Sequence, residues 1–191
     1  MHTENANIYA FPQSYVPLEE VEALIERIDI GKRFFYDLRR AYNPSSAIYV
    51  DTNRLLYSRR PFEGARKFVE ILYNLVPDTA VDLVEGKMVT DLVIVNPRKN
   101  IAMLIARGTN VYLFDAEGKR VYPLVDEGST VRKGDRLFYV VTGKCEVRVV
   151  RSSVDGVVVY VGDIVPSSPP HYVMVIVDAN AVKWLKPADT S

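Results

Sequence analysis

The second half of the chain is a series of short apolar runs, rich in β-branched and aromatic residues, that turn residues interrupt at short intervals. Asn96-Pro97, Glu117-Gly118 and Glu127-Gly128 are typical turn pairs. Runs of this length and composition are typical of strands, and short turns join antiparallel neighbours. From Val81 onward the sequence therefore predicts a mostly antiparallel β structure.

Residues 1–80 have a mixed character. An amphipathic helix is predicted over Pro17–Ile28, because its apolar residues recur at helical spacing and acidic residues stand near its start. We expect this apolar face to pack on the rest of the chain, or to form an oligomer interface if the monomer leaves it exposed. The residues on it are Val21, Leu24, Ile25 and Ile28.

Two further elements are predicted in this part. A second helix is expected over residues 61–77, ended by Pro77, with Phe68, Ile71, Leu72 and Leu75 on one face. A hairpin is expected around Asp51 to Arg54. The fold class predicted is α+β, with a mixed region over 1–80 and a β-rich region over 81–191. No linker separates the two regions, so the sequence is compatible with a single intimate α+β unit and also with two domains.

Composition and charge exclude several classes of function. Lys plus Arg (24) balances Asp plus Glu (24), which argues against a nucleic-acid partner. No apolar stretch is long enough for a membrane helix, and the single cysteine, Cys145, fits a reducing compartment, so we expect a cytoplasmic protein. His2 and His171 lie far apart and there is one cysteine, so the chain cannot assemble a zinc site of His and Cys ligands.

No catalytic constellation is present. Ser152 and Ser153 lie near Asp155 without a neighbouring base, so we interpret them as turn residues. A basic cluster, interpreted as a solvated face, comprises Arg54, Arg59, Arg60, Arg66 and Lys67. We therefore expect a protein that is not an enzyme.

One stretch carries a recognisable pattern. "VDEGSTVRKGDRL" places Val125, Gly128, Val131, Gly134 and Leu137 in the order V-x-x-G-x-x-V-x-x-G-D-x-L. This stretch resembles the biotinyl/lipoyl carrier domain, a flattened β-barrel of hammerhead shape also described as a single hybrid motif. The resemblance covers about 111–177, and the whole chain resembles an uncharacterised archaeal protein family that carries such a domain. It implies turns at both glycines with Val131 packed inward.

The resemblance also singles out Lys144. Carrier domains attach biotin or lipoate to a lysine at a hairpin tip, and Lys144 follows Gly134 by ten residues, the family's usual distance. Gly156 follows Lys144 by twelve residues, one more than usual, which a β-bulge between Cys145 and Ser153 could absorb. "VTGK" shares only its threonine and lysine with the lipoyl-type sequence E-T-D-K.

The other interpretation of Gly143-Lys144 is an ordinary two-residue hairpin turn, with glycine at positive φ and a solvated lysine. In both cases we expect an exposed tip at Lys144 between strands 135–141 and 145–150. Side chains along a strand alternate between its two faces, so Cys145, Val147 and Val149 share one face, which we predict to be buried in the barrel.

Two functions follow from this sequence. The first is a non-catalytic binding or assembly module that presents the barrel's hairpins to a protein partner and needs no cofactor. The alternative is a carrier protein with lipoyl or biotin attached covalently at Lys144.

Overall fold

The computed structural model describes residues 11–28, 37, 40–164 and 167–188, which are mostly β-sheet with few helices. Within these ranges the α-helices are α1 (Val21–Glu26) and α2 (Val76–Thr79), and 3-10 turns cover Leu18–Glu20, Tyr73–Leu75 and Ala179–Ala181. The strands are, in chain order, β1 (Gln13–Pro17), β2 (Tyr42–Asp51), β3 (Leu56–Ser58), β4 (Arg66–Ile71), β5 (Val81–Asp82), β6 (Lys87–Met88), β7 (Leu92–Asn96), β8 (Ile101–Ile105), β9 (Val111–Glu117), β10 (Arg120–Pro123), β11 (Thr130–Val131), β12 (Arg136–Val141), β13 (Val147–Arg151), β14 (Gly156–Asp163), β15 (His171–Val177), β16 (Val182–Trp184) and β17 (Lys186–Pro187).

The largest sheet is nearly closed into a barrel. Its strand order is β16-β8-β7-β1-β4-β2-β3-β17, and we call it the barrel sheet. The C-terminal segment closes it, because β16 pairs with β8 while β17 pairs with β3 at the opposite edge. Between them, the N–H of Leu185 donates to the carbonyl of Ala102, and the N–H of Lys186 donates to Leu55, both at 2.9 Å. One short segment therefore satisfies both edges of the sheet.

The interior of this barrel is apolar and tightly filled. Every second residue of its strands points inward, and Tyr15, Phe68 and Val93 have no exposed surface. Leu185 completes this core at the closing segment. The alternate residues, such as Val16 and Val69, point outward and belong to a second core.

Two smaller antiparallel sheets are stacked on the outside of the barrel. The middle sheet has the order β11-β14-β15-β9, and the hairpin sheet has the order β10-β12-β13. One face of the middle sheet packs on the barrel through residues such as Val159 and Val175. Its other face, with Met174 and Ile176, packs on Phe138 and Val140 of the hairpin sheet. The protein thus has three layers and two inter-layer cores.

Strands from both sides of residue 80 share the barrel sheet. β1 pairs with β4 on one side and with β7 on the other, and both pairings are antiparallel. Strands of the β-rich second region are therefore hydrogen-bonded to strands of the first. Apart from the parallel β17 and β3 pair, the ladders are antiparallel, as expected.

The first predicted helix is confirmed as a packed apolar face but is shorter than expected. Pro17 ends β1, a 3-10 turn follows, and α1 begins only at Val21. Val21 and Leu24 are buried in the core outside the barrel, Ile28 is buried with Ala41 and Leu75, and Ile25 is half-buried.

The second predicted helix, over residues 61–77, is wrong. Arg66–Ile71 is a central strand between β1 and β2. Phe68 fills the barrel interior, while Val69 and Ile71 belong to the outer core. The segment is thus a strand that is buried on both faces, and its apolar residues only happened to fit the spacing of a helix. Pro77 lies in the first turn of α2 and ends no helix.

The predicted turns are confirmed. β2 and β3 form the hairpin around Asp51, whose carboxylate accepts the N–H of Asn53 at 2.9 Å and that of Arg54 at 2.8 Å. Gly128 and Gly134 lie in turns with φ of 84° and 96°, and Val131 between them is buried.

The described part of the chain contains no helix of the length and apolarity needed to cross a membrane.

Gly156 offers a test of the middle sheet. A Cβ there would lie 2.3 Å from the carbonyl oxygen of Val177 and 2.7 Å from Cγ2 of Ile176, so Gly156→Ala must displace β15. We expect a loss of about 2 kcal/mol in the free energy of unfolding, measured by urea denaturation. Gly143→Ala is the matched control, because nothing lies within 4 Å of its Cβ position. Equal urea midpoints for the two variants would contradict this packing.

Candidate functional site

Lys144 stands at the tip of the hairpin that joins β12 to β13. The loop closes through the N–H of Cys145, which donates to the carbonyl of Thr142 at 2.9 Å, and the N–H of Thr142, which donates to Glu146 at 2.9 Å. The Thr142 hydroxyl also accepts the N–H of Glu146 at 3.2 Å. Lys144 is exposed, as predicted.

The conformation of this tip differs from the predicted two-residue turn. The residue at positive φ is Cys145 (63°) and not Gly143, so the loop is a three-residue hairpin connection whose last residue is left-handed. In this conformation the side chain of Cys145 does not follow the alternating directions of side chains along a β-strand. Its predicted burial is therefore wrong, and its thiol is exposed.

The predicted inward orientation of Val147 and Val149 is also wrong. Their side chains are 65% and 38% exposed, on the face of the hairpin sheet that points away from the middle sheet. The register shift of the β12 and β13 pair lies between Arg136 and Phe138, so the extra residue is on β12 and not between Cys145 and Ser153. β13 therefore turns its odd-numbered residues outward.

The outer face of the hairpin sheet carries an apolar and aromatic row. Tyr122 on β10 pairs with Tyr139 on β12, which pairs with Val149 on β13. Directly paired residues project to the same face, and Val141 and Val147 form the adjoining pair. Tyr122 is 47% exposed, so this row faces water.

The edge of β13 is unpaired in the part of the chain that the structure describes, since β13 pairs there with β12 alone. The carbonyl of Glu146 and both backbone groups of Ser152 bond toward the β12 side. Because bonding direction alternates along a strand, the N–H and C=O groups of Val147 and Val149 point to the free edge. These groups can accept another strand.

Basic side chains lie on and around the hairpin sheet. The hairpin sheet and its loop hold five cations and one carboxylate, a formal charge of +4, although the whole chain has a formal charge of zero. The carboxylate, Glu146, pairs with Arg148 at 3.6 Å, and both side chains are exposed. The cations are Arg120, Arg136, Lys144, Arg148 and Arg151.

Three other residues that the sequence singled out have structural roles. Ser152 is buried, and its Oγ donates to the carbonyl of Val154 at 2.6 Å. Arg66 of the basic cluster pairs with Glu19 at 2.6 Å, and Arg54 pairs with Asp51 at 2.6 Å. In the described ranges, no three His, Cys, Asp or Glu side chains are grouped so as to hold a metal ion. His2 lies outside those ranges.

A cleft of about 840 Å³ lies where the rim of the barrel meets the two smaller sheets. The barrel contributes Tyr73, from the 3-10 turn after β4, and Asn96, at the end of β7. The other wall is formed by the turn after β10, the end of β14 and Tyr172. Arg120 of β10 pairs next to the hairpin loop while Pro123 lines the cleft, so the two surfaces lie at opposite ends of β10.

A buried carboxylate, Glu127, joins the two walls. Its Oε1 accepts the Tyr73 hydroxyl and, at 3.2 Å, the N–H of Val161, while Oε2 has the amide of Asn96 at 3.5 Å. Burial and the neighbouring Glu127 charge raise the pKa of Tyr73, so its hydroxyl stays protonated and donates. The Tyr73 ring packs on Tyr160 with centroids 4.8 Å apart.

Sequence reasoning missed this group. Tyr73, Asn96 and Glu127 lie far apart in the chain, and each stands at the end of an element or in a turn. Glu127 was interpreted only as part of the turn pair Glu127-Gly128. Residues 126–130 have the composition of a turn, so nothing in the sequence there predicts the burial of Glu127.

Comparisons with known proteins give a family but no activity. The sequence pattern of the family described as "Uncharacterized protein conserved in archaea" (DUF2118) matches residues 9–179. The uncharacterized protein MJ0859 of Methanocaldococcus jannaschii is 29% identical over 126 residues, which cover 64% of this chain and 74% of that protein.

The left-handed Cys145 can be tested directly. A residue with a Cβ in this conformation is strained by about 1–2 kcal/mol, and glycine relieves this strain at an entropic cost of about 0.5–1 kcal/mol. We expect Cys145→Gly to raise the free energy of unfolding by about 0.5–1 kcal/mol in urea denaturation. Lys144→Gly, at a position without positive φ, should instead lower it. A higher free energy of unfolding for Lys144→Gly than for Cys145→Gly would contradict the loop geometry.

Proposed function

We propose that this chain, which belongs to the archaeal family DUF2118, is a non-catalytic binding module that docks an acidic protein segment on its hairpin sheet. The segment adds as a strand to the free edge of β13. No covalent chemistry is needed for this role.

The observation that carries this proposal is the free edge of β13 beside an exposed apolar row. Soluble proteins normally protect an edge strand, and here Val147 and Val149 flank the unpaired groups with apolar surface. A docked strand would hydrogen-bond to those groups and cover Val149 and Tyr139 with its own side chains. Main-chain bonds then supply affinity, and alternate side chains supply specificity.

The charge of the hairpin sheet selects the partner's chemistry. Arg148 and Arg151 lie on β13 itself, and Lys144 projects from the adjoining loop. A second basic strand would be repelled by this edge, whereas a strand with alternating acidic and apolar residues complements it. The same cations protect the edge from indiscriminate pairing in the free protein.

The likeness to biotinyl/lipoyl domains supports this assignment. We infer that the middle and hairpin sheets together form such a barrel, since they enclose one core and carry the two glycine turns of the motif. Domains of this kind present a hairpin tip to other proteins. In this chain the tip is accompanied by a docking edge.

Proline at position 149 tests the edge itself. Val149→Pro removes one N–H that faces the free edge and leaves the β12 ladder intact, because edge strands tolerate proline on their free side. Ten-residue peptides selected against the full chain by display should be enriched in acidic and β-branched residues. We expect Val149→Pro to weaken their binding by about tenfold, the equivalent of one lost hydrogen bond. Val149→Ala, which keeps the N–H, is the matched control.

Charge reversal provides a second arm of this experiment. Arg151→Glu should weaken binding of the selected peptides, whereas Lys183→Glu on β16, a strand of the barrel sheet, should not. Selected peptides without acidic residues, or equal binding to Val149→Pro and Val149→Ala, would overturn the proposal. So would binding of a labelled single-stranded oligonucleotide at physiological salt, since the basic face would then serve nucleic acid.

A second candidate function is favoured by the exposed position of Lys144. A hairpin tip is where a carrier domain needs its attachment lysine, because a swinging arm must extend clear of its own domain. The chain would then carry lipoyl or biotin, and the basic face would contact the enzymes that it serves.

The intact mass of the protein distinguishes the two functions. From a host that expresses lipoate and biotin ligases, the binding-module proposal predicts the unmodified mass, because the sequence around Lys144 lacks most of what a ligase recognises. A lipoyl or biotinyl adduct that disappears in Lys144→Ala and persists in Lys133→Ala would establish the carrier function instead.

A further inference from the structure

The cleft beside Glu127 is a second surface, independent of the hairpin sheet. Its volume of about 840 Å³ lies within the range of small-molecule sites. It opens between separate layers of the fold, a common location for such sites. Its walls combine the ring of Tyr172 and the side chain of Leu124 with a few polar groups.

Glu127 gives this cleft an unfilled acceptor. The residue is only 4% exposed, and Oε1 receives two donors, from Tyr73 and Val161. Among the described residues, Oε2 receives only the Asn96 amide at 3.5 Å, the outer limit of a hydrogen bond. A carboxylate oxygen can accept two donors, so a buried Oε2 with one long contact has capacity for a ligand.

The charges around the cleft favour a cation. Neither Glu127 nor Asp163 has a cationic partner among the described residues, while the third acidic residue, Asp126, is paired with Lys99. Arg98 is the basic residue of the lining and stands over the ring of Phe11 at 5.2 Å. An ammonium group offers both a positive charge and three donors.

We propose that this cleft binds a small organic amine, with the ammonium group on Oε2 of Glu127 and the apolar body against Tyr172 and Leu124. Asp163, at the exposed rim, adds electrostatic attraction without burial. A carboxylate ligand would be repelled by Glu127, and an alcohol would gain the hydrogen bond without the charge. The ligand class is thereby defined by its charge and its donors.

A matched series of three compounds tests this assignment on the full chain. The probes are 2-phenylethylamine, 2-phenylethanol and 3-phenylpropionate, titrated while backbone amide resonances are followed by NMR. We expect the amine to bind in the millimolar range and to shift the resonances of Gly128 and Gly162, which flank the cleft. The alcohol should bind about tenfold more weakly, and the propionate should not bind.

Two variants locate the site. Glu127→Gln keeps an acceptor for Tyr73 and Val161 but removes the charge, and it should reduce amine affinity about tenfold. Asp163→Asn, at an exposed position that folding does not depend on, should reduce it about twofold. Glu85→Gln, an exposed position next to Gly86, which bonds to Val111 at the other end of β9, is the control and should leave affinity unchanged.

Several results would overturn this inference. These are equal affinity for the amine and the alcohol, unchanged amine affinity in Glu127→Gln and Asp163→Asn, no amine shifts at millimolar concentration, or shifts confined to residues away from the cleft. The cleft and the hairpin loop lie at opposite ends of β10. Such failures would therefore not affect the docking proposal, which the peptide-binding experiment tests separately.

Discussion

The burial of both faces of β14 and β15 is the constraint on which this structure depends. Val157, Val159 and Val175 contact the outside of the barrel, while Val158 and Ile176 contact the hairpin sheet. Each such side chain contributes about 1.5–3 kcal/mol when it is removed from water. A sheet of this kind needs a cover on both sides, so the barrel and the hairpin sheet are held in place by the strands between them.

This stacking also decides which surface remains in water. The barrel interior and the two inter-layer cores are filled, and the C-terminal segment satisfies both edges of the barrel sheet. The hairpin sheet is the outermost layer, so its outer face and the edge of β13 have no cover among the described residues. The apolar row of Tyr122, Tyr139 and Val149 is thus available for an external partner.

The junction between the layers has a different chemistry. Where barrel and smaller sheets meet at their rims, backbone and side-chain polar groups must be satisfied without a regular ladder. Glu127 does this by accepting from the Tyr73 hydroxyl on one wall and the Val161 amide on the other. A charge buried for this purpose also makes the cleft selective, because a carboxylate discriminates strongly between ligands of opposite charge.

The sequence by itself determined the local elements whose signals are local. Backbone conformation and side-chain polarity over a few residues are enough to predict the turn glycines at 128 and 134, the hairpin at Asp51, the apolar face of α1 and the exposed tip at Lys144.

The tertiary structure decided the rest. Residues 66–71 became a strand because partners from β1 and β2 lie on both sides of them. Val147 and Val149 point outward because a register shift on β12 and a left-handed Cys145 fix the orientation of β13. Glu127 meets Tyr73 and Asn96 only through the stacking of three sheets, since contacts between distant residues depend on the packing of whole layers and leave no periodic trace in the sequence.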